Sequence, residues 1–468
     1  MAPNWEKLPN ITHNGFAGRE FEAVNRFFEH YGLEPPSHPL LQPEFSNPMF
    51  LHLVCQGAQE NSLRALPVGH QGLTAIIKLF LSAKNKRLAR ALDYDEREER
   101  VQKAIQALAA SMAEKKSRSL PLVDAKACVD ALYPSNGRSG SFFSHLERES
   151  LVTAVPTPSA AFGDQPKYSV RFTFERVADH LIIAHLLDCI TRKELAASFK
   201  LDGPLNFCVK DDAAASENRG LLEALAIYLP ERYNLELEEV TDSVDRTTIV
   251  LPAILDGLLW REDSSLSDKT RELIYEALGH EETAYKAAEM LFSLALRPGS
   301  QLNANFVDSL ISRRPITARD PFWASVLHKS FESSGIVNRL IDWSLRSDLK
   351  RISSETAELW SLVLAWFCLA PDRRVRDRAT KGLVCIGFAH PQVPHNIVKR
   401  FIHCNDEYVV ERVLVAAYGV FLLRGDGVGL KETASVLWDQ YFEPQAGPPL
   451  NASIRDHARL ILELAQDR

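Results

Sequence analysis

The sequence predicts a mainly α-helical protein: a helical N-terminal region, a winged-helix domain with a small β wing, then an array of HEAT-like α-helical repeats. Three observations predict it. Apolar residues recur at helical spacing along nearly all of the 468 residues. One island of β-rich sequence interrupts them between about Leu120 and Ile190. In the C-terminal half, Val375-Arg376-Asp377-Arg378-Ala379 returns as Ile454-Arg455-Asp456-His457-Ala458, with Val409 to Val413 in a comparable place between them. That spacing is two units of roughly 40 residues, within the HEAT/armadillo range.

The N-terminal helices come first. Phe21, Val24, Phe27, Phe28 and Tyr31 share one face of Glu20 to Tyr31. Leu73, Ile76, Ile77, Phe80, Leu81, Leu88 and Leu92 do the same over Gly72 to Leu92. Val101 to Met112 is a third helix. The acidic turn Asp93, Asp95, Glu96, Glu98, Glu99 leads into it, as the macrodipole favours, and reads as a solvated helix start rather than a metal site.

Within the island, Val123 to Leu132 reads as a short helix stopped by Pro134, Asn136 and Gly137, and Gly140 to Ser150 as a second. Leu151 to Val155 and Tyr168 to Phe174 read as two strands, joined by a loop carrying Pro156, Pro158, Gly163 and Pro166. Helix, turn, helix and a two-stranded wing make a winged-helix pattern. Its second helix holds Phe142, Phe143, His145, Glu147, Arg148 and Glu149, close to neutral, whereas a DNA-reading helix brings positive charge to phosphates. A structural or partner-docking wing is expected. The expected domains are residues 1–92, 93–190 and 191–468.

In the repeats, small Ala379 lets paired helices approach while Val375 and Leu383 fill the seam. The cluster Arg373, Arg374, Arg376, Arg378, Lys381 is interspersed with acids and is expected to brace neighbouring helices or face solvent.

Composition excludes several classes. Hydrophobic residues are 46% and charged residues 25%, which is globular rather than disordered or collagenous. The longest strongly apolar stretch, Ser361 to Ala370, falls short of the roughly 20 residues a bilayer needs. No basic stretch followed by an apolar run opens the sequence, so neither a signal peptide nor a membrane partner is expected. A net charge of −7 argues against broad nucleic-acid binding. Seven cysteines without a C-x-x-C pair suit free thiols in the core of a cytoplasmic protein.

Searches for chemistry return negatives. No G-x-x-x-x-G-K-[ST] loop exists to wrap a phosphate. Gly425-Asp426-Gly427-Val428-Gly429-Leu430-Lys431 has the wrong spacing and reads as a loop between helices. His280-Glu281-Glu282 lacks the second His of a zinc helix, no G-x-S-x-G elbow occurs, and His180 and His185 lie five apart, on different sides of a helix. No catalytic residue and no metal ligand is assigned, and no enzymatic activity is expected of this chain.

Two stretches carry a family resemblance. The first is Gly15-Phe16-Ala17-Gly18-Arg19-Glu20-Phe21-Glu22-Ala23 with Pro43-Glu44-Phe45-Ser46-Asn47-Pro48-Met49-Phe50-Leu51-His52-Leu53. The second runs from Tyr168 through Phe172-Thr173-Phe174-Glu175-Arg176-Val177-Ala178-Asp179-His180 to Leu187. Together they resemble STAND-class, NACHT-like P-loop NTPases, in particular the bacterial antiviral Avs proteins. In that class an N-P-[LM]-F-L string opens a helical lid after the NTPase core, a winged helix follows, and long helical repeats sense the trigger.

The resemblance implies that residues 1–92 are the lid and that the nucleotide-gripping core, with its ATP or ADP and Mg, lies before residue 1. The chain is then expected to be an internal piece holding no cofactor itself. Pro48 matches the proline that packs near the adenine in the family, and its fixed φ also suits a plain helix start capped by Asn47. Phe174 stands where many family members place a phosphate-contacting His. Arg176 on the same segment could substitute, or could form a surface ion pair with Glu175 or Asp179. Asn47, Pro48 and Arg176 are therefore the nucleotide-site candidates.

The implied function is the regulatory and sensor portion of an antiphage STAND NTPase. Its partners would be the NTPase core, a protein trigger such as a phage protein, and further copies of itself on activation. A free-standing helical scaffold for a protein partner and a winged-helix DNA binder are the alternatives.

Overall fold

Helices form where the apolar period requires them, and short polar caps set many of their starts. The computed structural model describes residues 14–36, 39–66, 73–134, 140–157, 167–444 and 447–468. In chain order the first elements are α1 (Glu20–His30), α2 (Pro48–Glu60), α3 (Leu73–Leu92), α4 (Arg100–Glu114), β1 (Leu120–Pro121), α5 (Leu122–Leu132), α6 (Phe142–Arg148), β2 (Val152–Thr157), β3 (Lys167–Phe172) and α7 (Glu175–Asp188). Next come α8 (Leu195–Ser198), α9 (Asp212–Glu217), α10 (Arg219–Tyr233), α11 (Leu251–Leu258), α12 (Asp268–Gly279), α13 (Glu281–Leu294) and α14 (Ala304–Ser312). The last series is α15 (Ile316–Glu332), α16 (Ile336–Arg346), α17 (Ser354–Phe367), α18 (Arg373–Ala389), α19 (Val393–Phe401), α20 (Glu407–Arg424), α21 (Leu430–Leu437) and α22 (Ala452–Gln466). Ser141, Ser267, Ser353, Asp372, Asp406 and Asn451 each accept a hydrogen bond from the first turn of the helix they precede. No described helix is long and apolar enough to cross a membrane.

The chain packs as two units, Met1–Cys55 with Asp308–Arg468, and Gln56–Val307. This division does not follow the boundaries expected after residues 92 and 190, both of which fall inside the second unit. The apolar face of α1 finds its partner some 300 residues away in sequence: α1 packs on α16, and Phe21 meets Trp343 edge-to-face at 5.0 Å. Buried Arg339 of α16 donates to the carbonyls of Leu40 and Leu41, both at 2.9 Å, with Glu20 beside it.

The rest of this unit is a stack of helix pairs. Helices α16, α18, α20 and α22 lie against one another in one layer, and α17, α19 and α21 in the other. The three recurring segments fall in the same layer, near the starts of α18, α20 and α22. Val375, Ala379, Val409, Val413, Ile454 and Ala458 are all buried, as the repeat pattern requires. The basic cluster braces: Arg378 pairs with Asp342 of α16, and Arg412 of α20 reaches back to Asp377 of α18 at 2.8 Å. Gly425, Gly427 and Gly429 all have φ near 70°, a left-handed backbone that suits glycine, and form the loop between α20 and α21.

In the second unit, α4 leads into β1, α5 and α6 follow, and β2 and β3 complete a sheet of strand order β1-β3-β2, all antiparallel, before α7 closes the winged helix. The sheet has three strands rather than the two expected. Leu120–Pro121 pairs with Val170 and Ser169, and two residues are too few to show alternation in sequence. Pro156, expected in the loop, belongs to β2 opposite Tyr168. Asn136, Gly137, Pro158, Gly163 and Pro166 lie outside the described residues.

Removing Arg339 takes the donors from two buried carbonyls and the counter-charge from Glu20. Arg339→Ala should lower the stability of the first unit by about 3–5 kcal/mol. A reduced urea midpoint, with faster proteolysis N-terminal to α2, is the measurement that checks it.

Candidate functional site

The two candidate regions lie in different units. In the first, Asn47 Oδ1 accepts from the backbone N–H groups of Met49 (2.9 Å) and Phe50 (3.3 Å), and Pro48 occupies the first position of α2. The two halves of the first motif meet here. Phe16 N donates to Ser46 O at 2.7 Å, and Gly15 crosses so closely that a side chain there would meet Ser46 O at 2.3 Å. Gly15 also has φ 61°, so glycine is required on both grounds. Asn47 therefore does what a cap does, while Pro48 stays half-exposed.

In the second unit, α7 begins after Phe174, whose ring is half-buried. Arg176 donates to Glu223 of α10 at 3.0 Å and lies over the Trp260 ring. This partner lies on another helix, whereas the sequence suggests the neighbours Glu175 and Asp179 on its own. Glu223 also accepts from Arg219, Arg219 donates on to Asp256, and Lys286 donates to the same Asp256 oxygen at 2.6 Å. This ladder of alternating charge ties α7, α10, α11 and α13 together. Burial raises the Glu223 carboxyl, with Arg176 opposing it.

Beneath the ladder, α7 carries two buried polar side chains. Arg118 donates to Asp179 Oδ1 at 2.5 Å and to the Glu217 carbonyl at 3.1 Å. Burial outweighs the Arg118 charge and pushes the Asp179 carboxyl up to about 6. Gly220 of α10 makes room for it: a methyl there would stand 1.9 Å from Asp179 Oδ2. His180 shares a 2.8 Å hydrogen bond with Thr74 and stacks on Tyr228 at 4.3 Å. Burial, with Arg232 and Arg176 adding repulsion, holds its imidazole down to about 3, so it is neutral at physiological pH.

Sequence reasoning passed over Arg118, Thr74, Gly220 and Glu223. The available signal was the Asp179-His180 pair set between Val177-Ala178 and Ile182-Ile183, two polar groups in an apolar helix that must find partners. His185 and Cys189, 3.9 Å apart, lie toward the end of the same helix, and Cys189 is exposed rather than core. Cys55, Cys208 and Cys368 are buried, with thiols pushed up to about 12 by burial.

The wing's second helix, α6, buries Phe142, Phe143 and Leu146 and exposes Glu147 and Arg148, whose charges cancel. Glu149 at its end accepts from Lys84 (3.0 Å) and pairs with Arg87 (3.1 Å), both on α3. The helix is thereby docked against its own unit.

No family model matches the chain, and no curated protein or solved structure is significantly similar to it.

Two outcomes follow. Gly→Ala within a helix ordinarily stabilises, by up to about 1 kcal/mol in its interior. Gly220→Ala should instead destabilise by about 1–3 kcal/mol, because the methyl displaces Asp179, and urea unfolding reads the sign. For Asp179, the folded-state value lies above the ordinary 3.8. Its contribution to stability is present below about pH 4 and lost as pH rises to about 6. Asp179→Asn should flatten the stability profile across that window relative to wild type, measured by thermal unfolding at stepped pH.

Proposed function

We propose that this chain is the regulatory and sensor portion of an antiphage STAND NTPase, in which the winged helix holds the resting state and the helical pairs recognise a protein trigger. The observation that carries the reading is order along one chain: the Gly15–Gly18 and Asn47-Pro48 segments packed on each other, then a winged helix, then a stack of helix pairs. In this reading nucleotide and Mg belong to the NTPase core, and Pro48 is the residue of this chain nearest the adenine. Arg176 has its charge compensated by Glu223, so contact with a phosphate requires that pair to open.

The trigger acts by binding the released conformation more tightly than the resting one, which shifts the population between them. The cancelled charge of α6 and its docking through Glu149 favour a wing that holds protein rather than DNA. Localisation in this reading is cytoplasmic, where phage proteins are made.

Plating of a phage panel on a bacterial host carrying the native locus tests the reading. The locus should lower plating efficiency at least about tenfold, and in-frame removal of residues 373–468 should restore it. Protection that survives the removal would assign trigger recognition elsewhere, and no protection across the panel would favour a scaffold unconnected with defence. The chain by itself should show less than about 1 °C of thermal shift with MgATP or MgADP. A larger shift would place nucleotide binding within these residues.

A further inference from the structure

We propose that the first unit holds a divalent transition-metal site at the junction of α15 and α18, formed by His328, Glu332 and Asp372, with Arg374 as the group a metal displaces. His328 and Glu332 are one turn apart on α15 and so project from the same face. Asp372 caps the start of α18. One donor atom from each of the three lies within 4.8 Å of the others. His328 Nδ1 stands 3.5 Å from Asp372 Oδ2, and among the described residues the ring has no hydrogen bond.

The donor set sets this cluster apart from an acidic surface patch. Two carboxylates and an imidazole suit zinc, nickel or cobalt, whereas calcium and magnesium take oxygen ligands. Asp372 is already oriented: its Oδ1 accepts from the Arg374 backbone N–H at 2.8 Å, and its Oδ2 faces His328 while accepting from Arg374 Nη2 at 2.7 Å. Metal bonds of roughly 2.0–2.2 Å bring neighbouring donors to within about 3–4 Å of one another. The donors must therefore close by about 1 Å. His328 (54% exposed) and Glu332 (48%) have the freedom to do so.

Charge supplies the remaining argument. The Arg374 guanidinium pairs with both Glu332 and Asp372 and lies over the Phe331 ring. One positive charge thus faces two carboxylates and leaves the group at −1. A divalent ion matches both carboxylates, and Arg374 can swing to solvent, since its side chain is 61% exposed. The ion would bridge two successive helix pairs of the array.

Calorimetric titration of the folded chain with Zn²⁺, repeated with Ni²⁺, tests the site. The expected result is one micromolar-range site per chain that weakens at least about tenfold in His328→Ala, an exposed position whose change leaves the fold intact. Arg374→Gln should tighten it at least about threefold, because the competing cation is gone. Binding unchanged in His328→Ala would assign the metal to other histidines and cysteines and overturn the proposal. So would the absence of a site below about 1 mM, or an Arg374→Gln variant that binds no more tightly than wild type.

Discussion

A guanidinium taken out of water must have its charge met where it sits, and buried arginines impose that constraint on both units. Arg261 has no exposed side-chain surface and is gripped by both oxygens of Glu236, at 2.9 and 3.0 Å, with Ser265 and Thr270 completing its shell. Arg319 is equally buried and joins Asp320, Asn405 and Asp406 while lying over Trp366. Arg339 secures the N-terminal segment through two carbonyls. Such pairs add little net stability compared with apolar packing, yet losing one partner is costly. Their effect is selective: a helix set one turn out of register would leave a buried charge alone.

The array shows how close packing and charge act together. Gly382 of α18 lies where a methyl would meet Ser344 of α16 at 2.4 Å, and Gly387 lies where one would meet Val420 of α20 at 2.9 Å. Small residues bring neighbouring helices near enough for Arg378 and Arg412 each to reach an acid on the preceding helix of the layer. Asp308 then ties the other layer in, accepting from buried Trp366 at 2.8 Å and from Arg400. Dispersion and hydrogen bonding therefore favour the same register.

Much of this was legible in advance because it is local. The α1 face, the α3 and α4 helices, the helix–turn–helix and strands of the wing, and the related segments starting at Val375, Val409 and Ile454 follow from period and punctuation. Asn47 reads correctly as a cap because its partners are two and three residues away. The partners of Arg176 and Asp179 did not read, since Glu223 and Arg118 lie 47 and 61 residues away. Strand β1 escaped because its pairing depends on a neighbour rather than on any alternation of its own.

By itself the sequence determined the mainly helical class, the position of the β wing and the Asn47 cap, which depend on residues a few positions apart, and the repeat, which shows as recurrence at roughly 40 residues. Tertiary structure alone decided that α1 packs on α16 and that Gly220 lies against the Asp179 carboxylate. It also decided which carboxylate meets each arginine. The physical reason is that an apolar face or a buried charge specifies what kind of partner it needs, and only the folded chain supplies which one.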